Sequence, residues 1–201
     1  MYRKQTKSKP EYMHVASGAI RGRRIECPPG IIRPMTAKVK TALFNIIGEC
    51  SGYRMLDLFA GSGCISIEAF SHGLTDGTLV EGDYGKRTIL TNNLKHAGWE
   101  TAVPIFMDAL TFVQTPPASD KRFDFIMADP PFIWDKKVEL VTAISRNRFL
   151  KDNGFLVLHV PKKEDVPEEI DNLIQYDYRR YGINVLLFYK YKECDEVVYA
   201  R

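Results

Sequence analysis

The chain has 201 residues, of which 45% are hydrophobic and 26% are charged, so its composition is that of a soluble globular protein with one domain, or one domain plus a small extension. No apolar segment follows the charged N-terminus as in a signal peptide, and no apolar run approaches the roughly 20 residues of a membrane span. The cysteines are scattered, with no CxxC pair and no Cys/His cluster, which argues against zinc or any other metal site and favours reduced thiols in a cytoplasmic protein. They are Cys27, Cys50, Cys64 and Cys194.

The N-terminal part of the chain is basic. Residues 1–35 hold eight Arg or Lys residues against two Glu, whereas the whole chain has a formal net charge of +3. This asymmetry favours contact with a polyanion, most often nucleic acid, although a solvated tail is the alternative for residues 1–10. Residues 13–27 alternate weakly and contain Gly18 and Gly22, which predicts a short hairpin. We therefore expect residues 1–35 to form a basic extension and residues 36–201 to form the main domain.

The main domain begins with a predicted helix and continues with alternating strands and helices. Thr36 is typical of a helix N-cap, and apolar residues follow it at helical spacing. Near-continuous apolar strands that alternate with helices predict a parallel sheet covered on both faces. Residues 174–190 differ, because they read as two strands joined around Gly182. The predicted fold is a doubly wound, mostly parallel α/β sheet with an antiparallel C-terminal strand pair. Its parallel strands are predicted at 54–60, 78–83, 103–109, 123–129 and 154–160.

Unusual residues lie where these strands end, which is where doubly wound sheets bind their ligands. Gly61 and Gly63 allow a sharp turn between the first strand and its helix, and they leave bare backbone for a ligand. Asp57, four residues before Gly61, would repel a phosphate and attract a cation. Taken alone, the glycines fit an ordinary strand–helix turn.

Acidic residues follow the next two strands as well. Glu81 could accept both hydrogen bonds of a ribose diol, and Asp83 is a weaker candidate for the same role. Asp108, beside the backbone N–H of Ala109, could read the edge of an adenine. A cation-binding acid, a ribose-binding acid and an adenine-binding acid together indicate S-adenosylmethionine. A nicotinamide enzyme is the alternative, but it needs a phosphate site that Asp57 would oppose. The stretch DLFAGSG, which includes Phe59, resembles the first motif of class I methyltransferases.

The fourth predicted strand runs into Asp129-Pro130-Pro131-Phe132, which resembles the (N/D)PP(Y/F) motif of methyltransferases that act on an exocyclic or amide nitrogen. A conjugated amine is a poor nucleophile, and two acceptors on its N–H groups would draw the nitrogen toward sp³ geometry. The Asp129 side chain and the Pro130 carbonyl can be these acceptors, while the prolines keep the loop rigid. Phe132 offers a face on which a base can stack. A rigid loop without chemistry is the alternative.

Residues 17–47, SGAIRGRRIECPPGIIRPMTAKVKTALFNII, narrow the choice of substrate. Together with DLFAGSG and DPPF they resemble the bacterial guanine-N2 methyltransferases of the RsmD type, which act on guanine 966 of 16S ribosomal RNA. The likeness covers nearly the whole chain. It departs from the family pattern at Met35, at the 37–40 stretch, and at Phe132, where Tyr is common.

The resemblance implies a role for each matching residue. The cofactor contacts would be Thr36, Asp57, Phe59, Gly61, Gly63, Glu81, Asp83, Asp108 and Ala109. The catalytic loop would be Asp129, Pro130, Pro131 and Phe132. The RNA contacts would be Arg21, Arg23, Arg24, Arg33 and Lys38. The implied partner is 16S rRNA, within the 30S subunit or an assembly intermediate, and we expect the protein to be a monomer.

Two other functions are compatible with parts of the pattern. An N6-adenine methyltransferase would share the Asp-Pro-Pro-Phe motif, but a DNA enzyme of this kind usually has a target-recognition insertion, for which no segment is long enough. A non-catalytic RNA-binding assembly factor on the same fold would be expected to have lost one of the acids, yet Asp57, Glu81, Asp108 and Asp129 are all present. The hairpin arginines could also serve solubility alone.

Overall fold

The computed structural model describes residues 11–28 and 35–192. Within these residues the chain forms ten strands and five helices. The strands are β1 (Glu11–His14), β2 (Arg24–Cys27), β3 (Arg54–Asp57), β4 (Asp76–Val80), β5 (Val103–Ile105), β6 (Phe123–Ala128), β7 (Leu150–Pro161), β8 (Glu169–Ile170), β9 (Leu173–Tyr181) and β10 (Asn184–Tyr191). The helices are α1 (Ala37–Ile47), α2 (Cys64–Ser71), α3 (Arg87–Ala97), α4 (Ala109–Val113) and α5 (Lys137–Arg146).

Eight of the described strands form one sheet in the order β5-β4-β3-β6-β7-β10-β9-β8. The pairs among β3 to β7 are parallel, whereas β10 pairs antiparallel with both β7 and β9. The chain passes from β3 to β4 and β5 on one side and then returns to place β6 on the other side of β3. This reversal of strand order makes the carboxyl ends of β3 and β6 the topological switch point. The doubly wound fold and its antiparallel C-terminal pair are therefore confirmed.

Alternating side chains along the central strands bury two separate cores, one on each face of the sheet. On β3, Met55 packs into the core beneath α1, α2 and α3, whereas Leu56 packs into the core beneath α4 and α5. Both side chains are almost fully buried. A sheet covered by helices on both faces requires apolar residues at successive positions, which explains why its strands read as continuous apolar runs.

Several element boundaries differ from the predicted ones. The first parallel strand ends at Asp57 rather than at residue 60, because the Asp57 carboxylate accepts a hydrogen bond from the Phe59 backbone and the chain turns there. The third, β5, ends at Ile105, and the short helix α4, which we did not predict, begins at Ala109 with Asp108 as its N-cap. Aspartate side chains thus accept backbone hydrogen bonds in the segments that follow both strands.

The predicted hairpin is present as the antiparallel pair β1–β2, a separate two-stranded sheet that packs on the face covered by α2 and α3. Its loop is fixed to Glu68 of α2, which accepts hydrogen bonds from the backbone N–H groups of Ala16 and Ser17 and from the Ser17 hydroxyl. Lys40 of α1 pairs with Glu68 and donates to the His14 carbonyl. The hairpin therefore has a fixed position on the main domain.

Three cysteines within the described residues, Cys27, Cys50 and Cys64, are free and buried, and Cys194 lies outside those residues. No helix among the described residues has the length and apolar character needed to span a membrane.

The proposed boundary between residues 35 and 36 remains a prediction. Residues 29–34, which include Arg33, also lie outside the described part of the chain.

Candidate active site at the switch point

Two aspartates lie at the switch point, close enough for the charge of Asp129 to raise the pKa of Asp57. Asp57 ends β3 and is in register with Met127 of β6, so Asp129 follows just beyond it on the neighbouring strand. Asp57 is buried, and its Oδ2 accepts a hydrogen bond of 2.6 Å from the Ser66 hydroxyl of α2. Burial raises the pKa of Asp57 to about 7; the Ser66 hydrogen bond opposes this, and the nearby charges of Asp129 and Glu81 add to it. A cation that binds here would favour the ionised carboxylate.

Glu81 holds the glycine loop against the end of β4. Its Oε2 accepts a hydrogen bond of 2.6 Å from the Gly61 N–H, and its Oε1 accepts one of 2.8 Å from the Asp83 N–H. Lys86 lies 3.2 Å from the same Oε1. Glu81 is almost fully buried. Three donors therefore orient its carboxylate. The Asp83 side chain is exposed and caps the following 3₁₀ turn through the Gly85 N–H.

The two glycines of the loop serve different purposes. Gly63 has a positive φ of 79°, which residues with a side chain rarely adopt, and a Cβ there would lie 2.9 Å from Leu90 Cδ1, so the Leu90 side chain would have to shift. Gly61 has a φ of 57°, and a Cβ there would meet only the Phe59 carbonyl oxygen at 4.0 Å. Because the protein leaves this space open, the loop offers room for a ligand against bare backbone.

Asp108 reaches the same edge of the sheet from β5. A Cβ on Gly82 would lie 3.7 Å from Asp108 Cα, so the loops after β4 and β5 are in contact. The side chain of Asp108 caps α4, since its Oδ1 accepts from both the N–H and the hydroxyl of Thr111. The carboxylate is exposed, whereas Ala109 is buried. The helix cap thus fixes the position of the acid.

The Asp-Pro-Pro-Phe loop is held by contacts on both sides. The Pro131 carbonyl accepts a hydrogen bond from the Trp134 N–H, and the Trp134 ring lies edge-on to Phe59 of the glycine loop, 5.1 Å between centroids. The almost fully buried Lys137 donates to the carbonyls of Phe132 and Trp134 and lies 3.1 Å from Glu164. The Phe59–Trp134 contact therefore connects the Asp-Pro-Pro-Phe loop to the glycine loop, while Lys137 holds two carbonyls of the loop region.

Asp129 has a partner that the sequence analysis did not identify. His159 of β7 places Nδ1 2.6 Å from Asp129 Oδ1 and Nε2 3.1 Å from Asn184 Oδ1 of β10. The His159 side chain is only 4% exposed, and its ring lies 5.2 Å from that of Phe132. The available signal was a histidine in the otherwise apolar stretch LVLHV on the strand next to β6. Ser66, Lys86, Trp134 and Lys137 were also missed, because their contacts depend on how the loops after β3, β4 and β6 are folded.

The hairpin presents the predicted basic residues to solvent. Arg21, Arg23 and Arg24 are exposed, and Lys38 is exposed in the first turn of α1. Arg24 stacks on the ring of Tyr12 at 4.0 Å, and Arg23 donates to a carbonyl at the end of α3. Between the hairpin and α3 lies an open polar cleft of about 510 Å³. The arginines lie on a common surface with this cleft.

Asn93 of α3 joins this surface to the glycine loop. Its amide nitrogen donates to the carbonyls of Glu26 and Ser62, and its Oδ1 accepts from the Glu26 N–H. The hairpin strand β2 and the turn that leads into α2 are therefore connected through one buried side chain.

The site fits S-adenosylmethionine better than a dinucleotide. Asp129 and Glu81 are both close enough to raise the pKa of Asp57, and such a cluster of acids attracts a cation and repels a pyrophosphate. The space above Gly61 and the acids after β4 and β5 provide room and acceptors for the rest of the molecule. Within the described ranges, no group of three or more His, Cys, Asp or Glu residues could hold a metal ion.

The whole sequence was compared with those of known proteins. In the Bacillus subtilis strain 168 protein named "Putative rRNA methyltransferase YlbH", 33% of 181 aligned residues are identical, covering 89% of this chain and 98% of YlbH. Ribosomal RNA small subunit methyltransferase D of Escherichia coli strain K12 is 27% identical over 158 residues, covering 77% and 78% of the two chains.

Solved structures have the same fold. The hypothetical protein TTHA0928 of Thermus thermophilus matches with a TM-score of 0.75 and 26% identity, covering 89% of this chain and 99% of that chain. The structure of SMU.776 complexed with SAH has a TM-score of 0.69 and 14% identity, covering 94% of this chain and 58% of that chain. At this low identity the match concerns the fold alone.

The family model described as conserved hypothetical protein 95 matches residues 13–190, which include most of the hairpin, the glycine loop, the Asp-Pro-Pro-Phe loop and most of β10. The chain therefore belongs to this family, the RsmD type of ribosomal RNA methyltransferases.

Proposed function

We propose that this protein transfers a methyl group from S-adenosylmethionine to the exocyclic N2 of a guanine in 16S ribosomal RNA, at a site of the guanine 966 type. The observation that carries the proposal is the position of Asp129 at the switch point, beside the buried Asp57 and above a glycine loop with open space. The names of the relatives support the RNA substrate. The protein would act as a monomer in the cytoplasm, on the 30S subunit or an assembly intermediate.

Each group of residues has a distinct task in this proposal. Asp57 would hold the cationic end of the cofactor, Glu81 its ribose and Asp108 with Ala109 its adenine, while Thr36, Phe59 and Asp83 would line the site. When bound, S-adenosylmethionine supplies a methyl group activated by its positive sulfur.

The catalytic loop would prepare the amine. The Asp129 carboxylate and the Pro130 carbonyl would each accept one N–H of the guanine amino group, which localises the nitrogen lone pair for an in-line displacement. Phe132 would stack on the base. The bond from nitrogen to the methyl carbon would form as the bond from sulfur to that carbon breaks, which leaves S-adenosylhomocysteine, and the proton lost from nitrogen would pass to the Asp129 carboxylate or to water. Because transfer depends mainly on position, no stronger base is needed.

The hairpin would supply the RNA contacts. Arg21, Arg23 and Arg24 are exposed together, and Lys38 is exposed nearby in sequence. Guanidinium groups of this kind bind phosphates and set the orientation of the RNA. The target guanine must leave its stack to reach Asp129, as in other enzymes that modify bases. Arg33 has the same proposed role.

The experiment is a transfer assay with labelled S-adenosylmethionine and 30S subunits that lack the modification, followed by nucleoside mass spectrometry. The proposal expects N2-methylguanosine with the wild-type protein and a loss of about 10²-fold or more with Asp129→Ala. Calorimetry should show that this variant still binds the cofactor. Retained activity in Asp129→Ala refutes its catalytic role. N6-methyladenosine as the product would support the adenine alternative, and binding without transfer would support an assembly factor.

A further inference from the structure

The contact between His159 and Asp129 arises from the strand register of the sheet. Ala128 of β6 pairs with Leu158 of β7, so the next residue on each parallel strand is Asp129 and His159 respectively. The Nδ1–Oδ1 distance is 2.6 Å. An ionised carboxylate can only accept, so the hydrogen of this bond belongs to Nδ1. One of the two Asp129 oxygens is thus occupied by the histidine, which fixes the rotation of the carboxylate.

The other end of the imidazole is held as well. His159 pairs with Leu186 on β10, and Asn184 at the start of that strand places its Oδ1 3.1 Å from Nε2. The Asn184 amide nitrogen donates to the Tyr181 carbonyl at 3.3 Å, which directs its oxygen toward the histidine. Because an amide oxygen can only accept, this contact is a hydrogen bond when Nε2 carries a hydrogen as well as Nδ1. Two strands therefore fix a ring that is only 4% exposed.

The ring also supports the base-stacking side of the site. Phe132 meets His159 in a T-shaped arrangement, with 5.2 Å between centroids and 70° between ring planes. Edge-to-face packing of this kind stabilises the orientation of the exposed partner. Phe132 is 37% exposed, so its outer face remains available for a substrate base. The same histidine contacts both the acceptor and the stacking residue of the catalytic loop.

We infer that His159 is a positioning residue, which aims Asp129 Oδ2 at the substrate amine and sets the plane of Phe132. This inference rests on the proposed function. Charged groups close to the pair are Asp57, which lies beside Asp129, and Lys137, which holds the Phe132 carbonyl and pairs with Glu164. Neither contacts the imidazole through a hydrogen bond, so the geometry of Asp129 depends directly on His159.

The test compares three substitutions at this position in the transfer assay with 30S subunits. His159→Ala removes both contacts. His159→Asn keeps a donor close to the place of Nδ1, because the asparagine amide nitrogen is the same number of bonds from the backbone. His159→Gln has a longer side chain that places its amide toward Asn184. Tyr189→Phe is the control for lost stability, since it removes the hydrogen bond of β10 to the Pro167 carbonyl without touching the loop.

We expect kcat to fall about 10²-fold in His159→Ala, as misplaced reacting groups commonly cause, with unchanged KM for the subunits and unchanged cofactor affinity. His159→Asn should recover a measurable part of kcat, His159→Gln less, and Tyr189→Phe should retain wild-type kcat. If His159→Ala does not fold, the Asn and Gln variants still decide the question. Wild-type kcat in His159→Ala, or an Asn variant no better than Gln, overturns the inference. If the wild-type protein transfers no methyl group, the proposed function fails first, and the role of His159 in it fails with it.

Discussion

Lys40 and Glu68 form an ion pair in which both side chains are fully buried, with Nζ 2.7 Å from Oε2. The pair joins α1 to α2, and Glu68 also accepts the N–H groups of Ala16 and Ser17 from the hairpin loop. Removing one partner of a buried pair leaves an uncompensated charge and is strongly destabilising. The pair is therefore one buried polar connection between the hairpin and the main domain.

The first prediction follows from this pair. Glu68→Ala should lower the free energy of unfolding by about 3–5 kcal/mol, because Lys40 and two backbone N–H groups lose their acceptor. Denaturant unfolding measures the change. Glu139→Ala, at an exposed position of α5, is the matched control and should stay within about 0.5 kcal/mol of the wild-type value. Equal effects of the two substitutions would contradict the structural role of the pair.

The second prediction concerns the basic hairpin. Charge reversal of Arg23 and Arg24 to Glu should weaken binding to 16S rRNA fragments or 30S subunits by at least tenfold at physiological salt, since phosphate contacts are lost and repulsion is introduced. Cofactor affinity should not change. The same double reversal at Arg179 and Arg180 of β9, at the other end of the sheet, is the control and should have little effect. Equal loss of RNA binding and cofactor binding would refute this division of roles.

The third prediction is a pH dependence caused by Asp57. Its pKa is raised from 3.8 in a model peptide to about 7 by burial, so the folded protein retains a proton that the unfolded chain releases. Stability should therefore fall as pH rises from about 4 to 7 and stay lowered above that. Affinity for S-adenosylmethionine should change in the opposite direction, rising up to about pH 7–8, because the ionised carboxylate binds the cation.

Asp57→Asn separates these two effects. The amide still accepts a hydrogen bond from Ser66 but cannot ionise. At pH 8 the free energy of unfolding of the variant should therefore be about 1–3 kcal/mol higher than that of the wild type. The same variant should lose most of its cofactor affinity. Calorimetry at pH 5.5, 7 and 8.5 measures both quantities. A wild-type affinity that does not vary with pH would show that Asp57 does not hold the cation.

The fourth prediction uses two glycines with the same backbone conformation. Gly63 and Gly98 both have a φ of 79°, but a Cβ on Gly63 would lie 2.9 Å from Leu90 Cδ1, whereas nothing lies within 4 Å of one on Gly98. Gly98→Ala should cost about 1 kcal/mol from the backbone alone. Gly63→Ala should cost about 2–3 kcal/mol and also weaken cofactor binding, because the Leu90 side chain must shift in addition to the backbone cost. Thermal unfolding measures the stability of the two variants, and calorimetry measures their cofactor affinity. Equal values for Gly63→Ala and Gly98→Ala would contradict the packing argument.

Much of the fold followed from local signals in the sequence. Apolar runs bounded by glycines predicted the strands, because both faces of a parallel sheet are buried. The acids that end those runs were predicted to meet at one edge, and Asp57, Glu81 and Asp129 do so. The Thr36 cap of α1 was also predicted correctly, since its side chain accepts from the Val39 N–H three residues later.

The contacts that could not be predicted join residues far apart in the chain. His159 and Asp129 are separated by 30 positions, and their meeting depends on the register between β6 and β7. Lys40 and Glu68 are charged residues that periodicity alone would leave on a solvent-facing side of their helices. Asp108 was predicted as an acid at a strand end, but its role as the cap of α4 depends on a helix of only five residues.

The most direct test of the central claim is the map of methylated nucleotides in 16S rRNA from cells that lack this protein, obtained by mass spectrometry and primer extension. The account predicts that one N2-methylguanosine is missing, and that the wild-type protein restores it whereas Asp129→Ala does not. An unchanged set of modifications, or the loss of a methyl group from a different kind of base, would contradict the account.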